Sequence, residues 1–368
     1  MTVHVRSDDF GCVYVAGGII MKLIDMHCDT LTEIMAHPEA GTMMENSLSV
    51  DISRLRSHDQ AVQFFACFVH LDKFKLPEDG SGVLSRPGSP LASPWDLDAA
   101  YDYTCRVLDF FDESMKTYAR SVIPVRTVGD MELCINDGNV SGGRQAAPTG
   151  ALLTVEEGGM LDSKIDRLTH FFEKGVRLLT LTWNYDNCIG HPNSKNEKRM
   201  ALGLTPFGFQ VIEQMSELGM IVDVSHLSDG GFWDVAKTAK KPFVASHSNS
   251  RAICDHPRNL TDDMLKALAD SGGVAGLNFC PMFLDAENGC TVEAMIRHIE
   301  HMIHVAGEDV VAIGTDFDGI RGNLEIPHTG KLRMLYEALE KTMMPARIIE
   351  KIFYGNAQRV MKEVLPEH

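Results

Sequence analysis

The sequence predicts an α/β protein built as a single (β/α)8 TIM barrel, with a metal site at the C-terminal rim of its strands. Three observations carry this expectation. Short apolar runs rich in Val, Ile, Leu and Phe recur between longer stretches with helical spacing, the pattern of parallel strands covered by helices. Eight such runs extend over about 290 residues, which matches a closed (β/α)8 barrel in size and order. A doubly wound open sheet, the competing topology, would carry a Gly-rich phosphate turn after its first strand; the chain reads His27-Cys28-Asp29-Thr30 there instead.

The elements follow in order. Residues 1–22 are expected to form an N-terminal extension or small hairpin at the barrel bottom, and residues 23–368 the barrel. Strands are expected at Leu23–Met26, Val62–Val69, Ala151–Val155, Val176–Thr182, Met220–Val224, Phe243–Ser246, Gly273–Asn278 and Val310–Gly314. Helical spacing marks Trp95–Ala119, Lys164–Lys174, Pro206–Leu218, Gly230–Ala239, Thr261–Ser271 and Val292–Val305. Pro77 to Pro94 and Asn136 to Gly150, loaded with Gly, Ser and Pro, read as long loops.

Composition narrows the function. Of 368 residues 44% are hydrophobic and 23% charged, so a large core is available. The net charge of −17 repels phosphate backbones and anionic head groups, which argues against nucleic acid as a partner. Nine cysteines scattered singly, with no CxxC pair, give neither a disulfide framework nor a thiolate zinc site; a reducing, cytoplasmic setting is expected. The apolar stretch from Cys12 to Met21 is about half the ~20 residues a bilayer span needs and follows Asp8 and Asp9, so neither a signal peptide nor a membrane helix is read.

The polar residues that can carry chemistry fall at strand ends. His27 and Asp29 end the first strand in LIDMHCDT, Glu156 the third in LLTVEEGG and His226 the fifth in IVDVSHLS. His247 ends the sixth in PFVASHSNS, and Asp316 with Asp318 the eighth in VAIGTDFDG. This is the rim where barrel enzymes place their active sites. Strand alternation would send His27 and Asp29 to one face. Imidazoles and carboxylates together suit Zn²⁺ or a similar divalent ion, and this set supplies ligands for two, with Glu156 bridging and a hydroxide between them. Such a pair generates a nucleophile near neutral pH and polarises the carbonyl it attacks.

Each residue has a blander reading when taken singly. A lone His after a strand is commonly a hydrogen-bonded rim residue, and Glu156 beside Glu157 suits a solvated turn. Convergence on one rim favours the metal site. His298, His301 and His304 share helical spacing but sit on an outer-ring helix, so they read as structural or exposed. Met334, Met343 and Met344 read as core by their spacing.

In order, the motifs His-x-Asp, V-E-x-G, D-x-S-H, S-H-S, R-N and G-x-D-F-D-G run through nearly the whole chain, from about Leu23 to Val364. The set resembles the membrane (renal) dipeptidase family of zinc peptidases within the amidohydrolase superfamily. That resemblance implies one Zn²⁺ on His27 and Asp29, a second on His226 and His247, and both on Glu156, the first Glu of the V-E-x-G turn. It implies Asp316 as the proton shuttle and Arg258, in HPRNLTDD, as a bidentate fork for the substrate carboxylate. It further implies hydrolysis of dipeptides, tolerance of a D-residue at the C-terminal position, and a homodimer.

One position departs from the pattern. Where many members carry a His that helps stabilise the oxyanion, in an LTLTHN-like run, this chain reads Leu179-Thr180-Leu181-Thr182-Trp183-Asn184. Trp183 is assigned to the substrate site as a single N–H donor, and His191 is considered a partial replacement for the missing imidazole. Two rival functions stay open: another amidohydrolase acting on an N-acyl amino acid, lactam or lactone, and a non-catalytic metal-dependent binding protein.

Overall fold

The structure, a computed structural model, describes residues 21–76, 93–135 and 147–367. The expected N-terminal extension lies outside these residues except for its last two positions, and the two Gly/Ser/Pro-rich loops lie largely outside them.

The described chain folds into nine parallel strands: β1 (Lys22–Cys28), β2 (Gln60–Phe68), β3 (Val122–Pro124), β4 (Thr149–Glu156), β5 (Val176–Thr180), β6 (Ile221–Asp223), β7 (Val244–Ala245), β8 (Val274–Leu277) and β9 (Val311–Ile313). Eight of them form the ring β1-β2-β4-β5-β6-β7-β8-β9, closed where β9 pairs with β1 and β2 pairs with β4 over Val62–Phe68. These correspond to the eight expected runs. The unexpected strand, β3, is three residues long, too short to show as an apolar run. It pairs only with the first residues of β4, outside the ring.

The expected helices form at Leu97–Thr117, Ile165–Glu173, Pro206–Leu218, Asp229–Thr238, Asp262–Asp270 and Val292–Ala306. Four start on a hydroxyl that satisfies an otherwise unpaired backbone N–H: Thr205 accepts from Gly208, Ser228 from Gly231, Thr261 from Met264 and Thr291 from Ala294.

Alternation along the strands builds two cores. Ile24, Val62, Phe64, Leu152, Leu178, Ile221, Val244, Val274 and Ala312 fill the barrel interior. Leu23, Phe65, Leu153, Leu179 and Val222 face the helices. The helix Asn356–Val364 closes one end of the interior by packing Ala357, Val360, Met361 and Val364 against that inner layer. Polar side chains at the strand C-termini therefore collect at the other end. The core assignment of the late methionines is corrected for two of them: Met334, on the outward side of the helix Arg333–Lys341, is 38% exposed and Met343, in the turn after that helix, 89%, while Met344 packs against the core. All eight described cysteines are free. No helix among the described residues is long and apolar enough to cross a membrane.

Candidate metal centre

His27 reaches the rim because β1 is irregular. Ile24 and Met26 point into the barrel, so strict alternation would turn His27 outward with Leu23. Between Asp25 and Cys28 the register against β2 slips: Asp25 pairs with Gln63 and Cys28 with Phe65, so β1 carries one extra residue. This bulge re-aims His27 inward. Asp29 lies beyond the strand, immediately before the helix Thr30–Ala36. The two residues do meet, with His27 Nε2 3.7 Å from Asp29 Oδ2, through the bulge and the turn rather than through the alternation the sequence suggests.

His247 arrives by a different device. After Ala245 the chain leaves the sheet and the Ser246 carbonyl turns into the barrel axis, where a β-carbon on Gly276 or Gly314 would stand 1.9 or 1.8 Å from its oxygen. Only glycine fits at these two positions. Buried Asp223 holds the same turn, accepting from the Ser246 N–H at 2.8 Å and from its hydroxyl at 2.6 Å. Because Ser246 Oγ donates to Asp223, it accepts from His247 Nδ1 at 2.7 Å, which leaves His247 Nε2 as a bare lone pair.

Glu156 continues the inward row of Gly150, Leu152 and Thr154, and its two oxygens face different partners. Oε2 lies 3.3 Å from His27 Nε2; Oε1 lies 3.1 Å from His226 Nε2 and 3.5 Å from His247 Nε2. Glu157 turns the other way, on a backbone with φ 84°. It accepts from the N–H groups of Gly159 and Trp183 and from Asn187 Nδ2, and burial pushes its carboxyl up to about 7. Both glutamates are buried, so the solvated-turn reading fails.

The donor set fits a cation. His226 Nδ1 faces the Asn184 amide oxygen at 3.4 Å and donates to it, so His226 Nε2 also presents a lone pair, 3.1 Å from that of His247. Burial pushes His226 down to about 4 and His247 well below the usual imidazole range, so both stay neutral. Two lone pairs and a carboxylate oxygen converging in a buried space repel one another unless a positive centre lies between them. On the other side, His27 Nδ1 and Nε2 and Asp29 Oδ1 are buried without a hydrogen-bond partner. Burial opposes a charge on His27, while the Glu156 and Asp29 carboxylates beside it push its pKa well above the ordinary imidazole range, so this space favours a positive charge. Ligand-capable atoms of His27, Asp29 and Glu156 lie within 4.8 Å of one another, as do those of Glu156, His226 and His247.

Asp316 faces the same space, with Oδ1 3.9 Å from His27 Nε2 and Oδ2 accepting from Asn278 Nδ2 at 2.8 Å. Burial raises its carboxyl to about 7, helped by Asp29 and Glu156 and opposed by His27 and Arg258. Asp318 instead accepts from Thr30 Oγ1 and the Ser49 N–H, which ties the loop after β9 to that after β1. His226, Asp316, Asp318 and Glu157 all have positive φ, so left-handed backbone is concentrated at this rim. Arg258 is 94% buried rather than on the surface. Nη1 donates to Ser248 Oγ and Nη2 to the His247 carbonyl, both at 3.0 Å, while Nε is buried without a partner.

Asp223, Ser246 and Asn278 were not singled out as site residues from sequence. Their signals were present: Asp223 opens D-x-S-H, Ser246 opens S-H-S, and Asn278 is the polar end of an apolar run. His298 is a buried strut that accepts from the Ser250 N–H and donates to the Leu284 carbonyl, and His301 pairs with Asp262.

The family model for membrane dipeptidases, peptidase family M19, matches residues 19–366. The chain belongs to the membrane dipeptidase family. It is 28% identical over 326 residues to an uncharacterized dipeptidase of Schizosaccharomyces pombe, covering 87% of this chain and 73% of that protein. It is 35% identical over 245 residues to an uncharacterized protein in the pqqA 5′ region of Klebsiella pneumoniae, covering 65% of this chain and 90% of the other. Among solved structures, a Rhodobacter sphaeroides metallopeptidase bound to a phosphinate mimic of the dipeptide L-Ala-D-Ala shares the fold, with a TM-score of 0.78 at 24% identity over 94% of this chain and 100% of that one. A probable dipeptidase of Pseudomonas aeruginosa aligns with a TM-score of 0.75 at 18% identity over 94% and 95%.

In this membrane dipeptidase family member, Trp183 sits at the rim with its ring centroid 6.3 Å from that of His226, and its backbone N–H is bound to Glu157. His191 does not join the ligand cluster; its Nδ1 is held by Asp186 at 2.9 Å.

Proposed function

We propose that the chain is a binuclear metallo-dipeptidase that hydrolyses the peptide bond of free dipeptides and accepts a D-residue at the C-terminal position. The observation that carries this reading is the split of Glu156, one oxygen toward His27 and the other toward His226 and His247. In this reading His27, Asp29 and Glu156 hold one divalent ion, and Glu156, His226 and His247 the other. Imidazole and carboxylate donors without thiolate suit Zn²⁺. When bound, such a pair polarises the peptide carbonyl and brings the pKa of water toward neutrality.

The remaining work falls to the chain's own groups. Asp316, raised to about 7 with Oδ2 fixed by Asn278, takes the proton of the attacking water at Oδ1 and returns it to the departing amine as the C–N bond breaks. Arg258, held rigid by Ser248 and His247 and keeping an unpartnered Nε, binds the substrate's free carboxylate. The phosphinate mimic of L-Ala-D-Ala bound to the Rhodobacter sphaeroides neighbour supports the substrate class and the D-residue tolerance. Assembly as a homodimer in the cytoplasm belongs to the same reading.

The test is metal analysis of the purified protein together with a panel of L-Xaa-L-Xaa and L-Xaa-D-Xaa dipeptides, N-acyl amino acids and lactones. Two divalent ions per chain and chelator-sensitive cleavage of dipeptides are expected. Full activity in strong chelator, or cleavage of N-acyl amino acids with dipeptides untouched, overturns the reading.

A further inference from the structure

One wall of the site is aromatic. Phe68, at the end of β2, continues the inward row of Val62 and Phe64. It meets Trp183, beyond β5, edge-on at 5.0 Å between ring centroids. His70 lies 5.0 Å from Trp183, Tyr185 lies 5.5 Å from it, and Trp95 continues the row 5.0 Å beyond Tyr185. All five rings are partly exposed, unlike the fully buried aromatics of the core. The polar tips of three of them are tied down: Tyr185 Oη pairs with His70 Nδ1 at 3.2 Å, and Trp95 Nε1 donates to Asp72 Oδ1 at 3.1 Å; Trp183 is held by its ring packing and by its backbone N–H on Glu157. The rings therefore form a pre-set surface that starts beside His226 and runs outward from it.

Arg258 lies on the other side. It is anchored to His247 and Ser248, which follow β7, and its guanidinium packs 5.4 Å from the ring of Phe283, which follows β8. In the ring, β7 and β8 face β2 and β4. A dipeptide whose carboxylate is held by Arg258 and whose peptide carbonyl lies over Glu156 must direct its N-terminal residue toward the aromatic wall.

Building on the dipeptidase reading, we propose that Phe68, His70, Trp183 and Tyr185 form the pocket for the side chain of the N-terminal residue, and that the enzyme selects dipeptides whose first residue is aromatic or large and aliphatic. Trp183 is the specificity-determining residue, since it alone touches both the rest of the wall and the His226 ring. An apolar side chain lying on rings already held in place loses water at little ordering cost, so the preference enters through binding.

The test compares kcat/KM for Phe-Ala, Leu-Ala, Gly-Ala and Ala-Phe with the Zn²⁺-loaded protein and its Trp183→Ala and Trp183→Phe variants. Phe-Ala is expected to exceed Gly-Ala by about tenfold or more. Trp183→Ala should shrink that ratio by about tenfold, mostly through KM, while Trp183→Phe, which keeps a ring against Phe68, restores most of it. A ratio near one in the parent overturns the proposal without need of any variant. So does a Trp183→Ala protein that loses both substrates in equal proportion, or a preference that follows the C-terminal residue in Ala-Phe. If no dipeptide in the panel is cleaved, the dipeptidase reading itself fails and takes this assignment with it. That result is distinct from cleavage without selectivity.

Discussion

The carbonyl oxygen of Ser246 lies 1.8 Å from the point where Gly314 would carry a β-carbon. The inward turn that delivers His247 to Glu156 thus depends on a missing side chain two strands away in the ring. Gly314→Ala presses a β-carbon against the backbone of Ser246 and Gly276, with no flexible side chain to yield. It is expected to destabilise the protein by about 1–3 kcal/mol in denaturant unfolding and to lower bound metal, because His247 is displaced. Unchanged stability together with full metal content would show that the turn can relax.

Asp316→Asn should separate proton transfer from metal binding. The amide can still accept from Asn278 but cannot carry a proton, so metal content and KM should hold while kcat falls by roughly 10²–10⁴. Loss of metal in this variant would make Asp316 a ligand, an outcome its place in a cluster with His27 and His247 makes worth measuring.

Arg258→Lys removes the planar fork and keeps the charge. For free dipeptides kcat/KM should fall by on the order of 10²-fold, since Lys cannot reproduce the paired contacts to Ser248 and the His247 carbonyl. Dipeptide amides should be poor substrates of the parent and lose little further. Equal turnover of dipeptides and their amides by the parent would remove Arg258 from the carboxylate role.

His298 gives the stability a pH dependence distant from the chemistry. Burial lowers its imidazole from 6.5 to about 4, and both ring nitrogens are spent on Ser250 and Leu284. The unfolded chain takes up a proton near 6.5 while the folded one resists until about 4, so this contribution is complete above 6.5 and is lost as the pH falls through that window. His298→Gln should flatten the stability-against-pH slope there by up to one proton, read from denaturant midpoints at stepped pH. An unchanged slope would mean that other groups set it.

What could be read from the sequence is what local spacing encodes. Eight apolar runs are legible because strands covered on both faces are apolar throughout, and six helices because their buried stripes recur at helical spacing. The rim position of His27, Asp29, Glu156, His226, His247 and Asp316 is legible because each lies within three residues of the end of such a run. How these side chains meet was decided by packing. The bulge that turns His27 inward needs the register of β2, and the Ser246 turn needs two glycines from other strands. Glu156 and Glu157 are adjacent and chemically alike, and only the three donors waiting for Glu157 around Asn187 and Trp183 separate them. Arg258 is indistinguishable in sequence from a surface arginine, and rings at positions 68, 70, 95, 183 and 185 share no spacing that would mark them as one wall. These arrangements join segments far apart in the chain, and such contacts exist only once the barrel has closed.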